Sequence, residues 1–156
     1  MRKRIPTQQE YQAYRGAHCH KLWIEVGSDW VCPACARTKY QILRWTTRFP
    51  RTPAAFEDWM AGLHRHHDHS QGLLSLNRGR FPQTVICDQC NAADGVAKRQ
   101  LDLPENFSFS PSEISLFIEV APHGKHKVII PKASEVYRSL SATPSKGGWF
   151  EHSHRR

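Results

Sequence analysis

No stretch of this 156-residue chain approaches the roughly eighteen consecutive apolar residues that a membrane-spanning helix needs. The basic start, Met1-Arg2-Lys3-Arg4-Ile5-Pro6, is not followed by the apolar segment of a secretory signal. These absences predict a protein that is neither secreted nor membrane-bound but cytoplasmic, and nucleoid-associated in a bacterium or phage. Apolar residues are scarce, at 39% against the usual 45–50% or so. A core this lean needs support, and zinc is the obvious candidate. Acidic residues are scarce too: 14 Asp and Glu face 22 Lys and Arg, giving a net charge of +8 with ten histidines neutral. That balance points to a polyanionic partner, most simply nucleic acid. No segment repeats another.

What the chain does have is metal-capable side chains in two dense groups. Its five cysteines stand at 19, 32, 35, 87 and 90, two C-x-x-C pairs and a singleton. In a reducing compartment such pairs more often bind metal than form disulfides. Thiolates at i and i+3 reach one tetrahedral ion, and two such pairs close the coordination sphere. Cys32, Cys35, Cys87 and Cys90 therefore predict a structural zinc site that folds the chain and leaves no open position for substrate. Cys19 is either a core or surface thiol or a rival fifth ligand.

Between the pairs the pattern predicts several elements. Thr7-Gln8-Gln9-Glu10 has capping-box spacing and starts a helix to about Ala17. Lys21–Val26 and Trp30–Cys32 flank the turn signal Gly27-Ser28-Asp29 and read as a hairpin. Lys39–Arg48 is basic and aromatic, with a helix as one reading. Thr52-Pro53 resembles an N-cap with proline at the first helical position, and Phe56, Trp59, Met60 and Leu63 follow helical spacing. Farther on, a loop over 71–80 precedes a strand over 81–86 and a helix from Cys87 to about Leu101. Ser110-Pro111-Ser112-Glu113 is a second capping box, opening a helix with Ile114, Phe117, Ile118 and Ala121 on one face. His126–Ile130 reads as a strand, Lys132–Leu140 as a helix, and 141–156 as a loose basic tail.

The second dense group is His64-Arg65-His66-His67-Asp68-His69. On a strand, His64, His66 and Asp68 would face one side and Arg65, His67 and His69 the other. Phosphodiester hydrolysis needs a base to activate water and a cation at the phosphate, and imidazoles and a carboxylate supply both roles. A surface histidine patch or a second structural zinc site would use the same residues.

The succession of His66-His67-Asp68-His69, an arginine-bearing loop, a strand and Cys87-Asp88-Gln89-Cys90-Asn91-Ala92-Ala93-Asp94-Gly95 resembles the zinc-containing HNH (ββα-metal) nucleases. The likeness is strongest to the phage recombination endonuclease VII family, and it covers about Cys32–Cys35 and His64–Leu101. It implies a small α+β protein with a zinc-bound ββα-metal core over about 63–101, within one nuclease domain spanning 1–140. It also implies hydrolysis of DNA with one divalent cation, leaving a 3′-hydroxyl and a 5′-phosphate. By the same resemblance His67 is the general base, His66 and Asn91 are cation ligands, and Asp94 is a secondary ligand one helical turn beyond Asn91. A register two residues later fits as well, with Asp68 as ligand and His69 as base. Where the endonuclease VII family has an aspartate ligand, this chain has His66, and a nitrogen ligand shifts preference from magnesium towards manganese, cobalt, nickel or zinc.

Arg78, Arg80, Lys98 and Arg99 flank this site and are candidate contacts to DNA phosphates. Lys39, Arg44 and Arg48, interleaved with Tyr40 and Trp45, form a second basic segment whose aromatics suit a core. Cutting both strands of duplex or branched DNA with one site per chain favours a homodimer. Two other classes compete with a nuclease: a non-catalytic zinc-stabilised DNA-binding module, and a metal-binding or metal-sensing protein, against which the positive charge argues.

Overall fold

The computed structural model describes residues 3–69 and 79–142. It is an α+β arrangement of short helices and three two-stranded antiparallel sheets. Among the described residues no helix is long and apolar enough to cross a membrane. Arg78 and the segment 143–156 lie outside them, as does most of the 71–80 loop.

The first helix, α1 (Gln8–Ala13), starts where the capping box predicts: Thr7 accepts from Glu10 N and Glu10 accepts from Thr7 N. It stops sooner than Ala17, because Tyr14 is extended and Gly16 takes the left-handed φ of 79°. A side chain at Gly16 would also meet Trp23 Cβ at 2.5 Å. The expected Lys21–Val26 strand is instead helix α2 (His20–Glu25). The expected hairpin with Trp30–Cys32 does not form, because Val31 bridges to Thr38 instead. Lys39 Nζ donates to the carbonyls of Trp23 (2.7 Å) and Gly27 (3.0 Å), satisfying the carbonyl end of this helix.

The segment Lys39–Arg48 divides into helix α3 (Lys39–Ile42), capped by Thr38, and strand β1 (Arg44–Arg48). The helix expected after Thr52 is strand β2 (Phe56–Met60), paired with β1 in the register Trp45 opposite Trp59 and Arg48 opposite Phe56. The apolar spacing matched a helix by coincidence: Phe56 is exposed and only Trp59 is buried in this strand. Cross-strand aromatic contact decides the outcome, with the Trp45 and Trp59 rings edge-on at 5.1 Å and Arg4 over Trp45 at 3.7 Å.

Next comes the strand–strand–helix unit that carries the candidate site. Strand β3 (Leu63–His66) pairs antiparallel with β4 (Thr84–Cys87), Leu63 opposite Cys87 and His66 opposite Thr84. Chain direction then turns at once into helix α4 (Asp88–Gln100), with Asp88 N held by Gly62 O at 2.9 Å. The second capping box opens α5 (Pro111–Phe117) as expected, followed by the β5 (Ile118–Glu119) and β6 (Lys127–Val128) pair and by α6 (Ile130–Ser141).

The buried side chains form one apolar cluster. Ala93 and Ala97, one turn apart on α4, are buried in the same cluster as Ile114 and Phe117 of α5 and Ala133 of α6, the two helices that pack against α4. Phe109 is edge-on to Phe107 at 4.8 Å and to Phe117 at 4.9 Å. Phe117 has no exposed surface, so Phe117→Ala should destabilise the fold by about 3–5 kcal/mol. A urea melt followed by tryptophan fluorescence reads this directly; a loss below about 1 kcal/mol would show that α5 is not part of the cooperative core.

Candidate metal centre and active-site cleft

The first C-x-x-C pair lies in a tight turn closed by the Val31–Thr38 bridge, with Ala36 N donating to Cys32 O at 2.8 Å and Ala36 in the left-handed region at φ 57°. Its partner pair spans the junction of β4 and α4. All four sulfurs are buried and lie within 4.8 Å of one another. Cys32 Sγ is 3.9 Å from Cys90 Sγ, and Cys35 Sγ is 3.8 Å from Cys87 Sγ. A tetrahedral zinc with bonds of about 2.3 Å needs sulfur–sulfur edges of about 3.8 Å, so the four residues fit a zinc ion. Cys19 stands apart from this cluster. Its thiol donates to Ala61 O at 3.8 Å, and burial raises its pKa.

Thiols packed this closely cannot all ionise without a cation. Hydrogen bonds from Cys32, Cys87 and Cys90 hold Cys35 low, while Cys32, Cys35 and Cys87 push Cys90 high. Two further side chains meet the cluster that sequence reasoning overlooked. Arg37 donates from Nε to Cys35 Sγ (3.3 Å) and from Nη2 to Cys87 Sγ (3.2 Å). His126 has its protonated form disfavoured by burial but favoured more strongly by Cys35 and Cys87, so its pKa is raised. An arginine two positions after C-x-x-C was visible in the sequence as a signal; His126 had none.

The histidine cluster divides by burial. Strand β3 ends at His66, and His66 and Asp68 point inward while His67 and His69 are exposed. His66 Nε2 lies 2.7 Å from Phe109 O, its ring stacked on Phe81 at 5.2 Å. Asp94 accepts from Phe109 N at 2.9 Å and pairs with Lys98 at 3.1 Å. Two of the expected cation ligands are thus engaged with the backbone on either side of one residue, which no sequence motif signals.

The rings of His67 and His69 are 4.3 Å apart. Burial, then His67 and Lys98, hold the His69 pKa below its ordinary value, while Asp94 opposes the shift. Asp94 and Lys98 share one face of α4. Asn91 precedes them on that face at helical spacing, half-buried. Among the described residues the Asn91 side chain has no hydrogen-bond partner. Asp68 accepts from Arg80 N at 2.8 Å. A cleft of about 620 Å³ is lined by His67, Asp68, His69, Arg80, Phe81 and Pro82, and no described residue of α4 is in its lining. That volume suits a nucleotide-sized group.

The candidate DNA contacts differ in availability. Arg80 is tied to Ser108 O (2.7 Å) and Glu113 (2.5 Å) and lies over Phe107, so it fastens the cleft wall to α5. Lys98 pairs with Asp94, whereas Arg99 is exposed. In the second basic segment, Lys39 is buried, Arg44 pairs with Asp88 at 3.2 Å, and Arg48 contacts His18. The aromatics there pack inward as expected: Tyr40 donates to Pro6 O, and Trp45 meets Trp59.

Compared with protein-family models, with curated proteins and with solved structures, the chain matches none.

Because the cysteine cluster joins the 32–35 turn to the start of α4, Cys87→Ser should lose bound metal and the cooperative fold together. Zinc per chain by mass spectrometry and thermal melting by circular dichroism check this. A folded, metal-free Cys87→Ser chain would remove the clip from the account of the fold.

Proposed function

We propose that the chain is a metal-dependent DNA endonuclease of HNH type, with a structural zinc on Cys32, Cys35, Cys87 and Cys90. The observation that carries this reading is that β3, which leads straight into His67-Asp68-His69, packs against α4, the helix bearing Asn91, on a unit whose strand–helix junction holds two of the four clustered cysteines. Of the two registers open in the sequence, the geometry favours the later one. His69 is exposed at the cleft, and burial, then His67 and Lys98, lower its pKa, which favours the neutral imidazole that a base needs. The Nε2 of His66 is engaged by Phe109 O, which makes His66 the poorer candidate for the adjacent ligand, and Asp68, a carboxylate at the cleft, takes its place.

Asp68 and Asn91 would hold the catalytic cation; an oxygen carboxylate and an amide oxygen suit magnesium or manganese. When bound, that ion offsets charge developing on the phosphate and its leaving oxygen. A ring nitrogen of His69 takes the proton of the attacking water. Asp94, fixed to Phe109 N and Lys98, sets the orientation of the α4 face rather than acting on substrate. Arg99 binds the DNA backbone beyond the cleft, consistent with the net charge of +8. Cutting both strands needs two such sites, which a homodimer supplies.

The test is cleavage of supercoiled plasmid and of a four-way junction with magnesium, manganese or EDTA. Cutting should require the cation, fall at least about 100-fold in His69→Ala, and survive in His67→Ala. Loss in His67→Ala with retention in His69→Ala would return the base to the earlier register. Absence of cutting on both substrates with every cation, alongside a DNA gel shift, would replace the nuclease with a zinc-stabilised binding module.

A further inference from the structure

Arg37 is 2% exposed, yet among the described residues no carboxylate pairs with it. A guanidinium stays charged at any accessible pH, and an uncompensated buried charge is strongly unfavourable. Each of its three nitrogens nonetheless has a partner. Nε and Nη2 meet one sulfur from each C-x-x-C pair, Cys35 at 3.3 Å and Cys87 at 3.2 Å. Nη1 meets the carbonyls of Ala121 at 2.9 Å and Gly124 at 3.2 Å, in the turn between β5 and β6.

Carbonyls supply dipoles but no net charge, so the sulfurs must supply the counter-charge. Neutral thiols cannot. Four thiolates around a divalent cation carry a net charge of −2, and one buried guanidinium offsets half of it. The arrangement also suits the planar fork of arginine, which spans two acceptors at once as a lysine ammonium does not. From the other side of the turn, His126 Nδ1 accepts from Ala121 N at 3.2 Å, so its proton sits on Nε2. That Nε2 is buried without a hydrogen-bond partner among the described residues, which leaves Arg37 as the side chain whose hydrogen bonds join the two C-x-x-C pairs.

We propose that Arg37 is the outer-sphere partner of a closed four-thiolate zinc site, offsetting half of its excess charge, bridging its two C-x-x-C halves and fastening the 121–124 turn to them. The inference rests on reading the four cysteines as zinc ligands and goes beyond it by assigning the residue that sets how tightly the ion is held. Groups that hydrogen-bond to metal ligands typically change metal affinity 10–100-fold when removed.

The experiment uses the full chain purified with zinc, as wild type, Arg37→Met and Arg37→Lys. Metal content is measured per chain, affinity by competition with a zinc chelator, and coordination by the cobalt(II) thiolate charge-transfer and d–d bands. Wild type should hold one zinc. Arg37→Met should bind at least tenfold more weakly while its cobalt form keeps tetrahedral four-thiolate bands, and Arg37→Lys should fall between the two. Should Arg37→Met fail to fold, Arg37→Lys carries the test, since it keeps the charge and loses only the fork. Zinc bound as tightly in the variants as in wild type would overturn the role of Arg37 and leave the zinc site standing. A wild-type chain that takes up neither zinc nor cobalt would overturn both.

Discussion

Four sulfurs within 4.8 Å are the constraint on which the rest of the architecture depends. They join a turn at residues 32–35 to the point where β4 becomes α4, and so fix the angle at which the helix leaves the strand. Around that joint the apolar residues are few, and the secondary structure is short: three sheets of two strands each and, among the described residues, only two helices longer than seven residues. Isolated pairs of strands are marginal in water. A cross-link that closes a long loop compensates by restricting the unfolded chain and, when the link is a metal, by adding its binding free energy to folding.

What could be read from the residues alone follows from how local each signal is. The cysteine cluster was legible because metal ligation imposes spacing on side chains that few other needs would place there. The two capping boxes were legible for the same reason, each being closed within four residues by reciprocal hydrogen bonds. The strand–helix passage from Thr84 into α4 followed from turn-free apolar residues running into the second C-x-x-C. By contrast, Phe56–Met60 and His20–Glu25 were misread because their identities are settled by partners distant in sequence. Trp59 is strand because Trp45 lies opposite it, and Trp23 is helix because no strand is there to pair with it.

The candidate site was legible in kind more than in detail. Its residue types could be named, and so could the alternation that sets His66 and Asp68 against His67 and His69, but not which of the two sets turns inward. That depends on Phe109, whose N–H and carbonyl occupy Asp94 and His66. Backbone atoms carry no residue code, so an anchor made of them leaves no mark in a motif. Arg80 shows the same effect: its charge suggested a phosphate contact, and its geometry ties it to Ser108 and Glu113.

The double attachment of Phe109 has a mechanical meaning. A strand residue, a helix residue and the segment leading into α5 share one small knot of hydrogen bonds, so β3 and α4 cannot slide or tilt independently without breaking it. The cleft then has one wall, His67 to His69, that continues directly from β3, and a second, Arg80 to Gln83, that runs into β4 and is held by Arg80 on Ser108 and Glu113 and by Phe81 on the His66 ring. With both walls continuous with one strand pair, the β3–β4 register sets the distance between them.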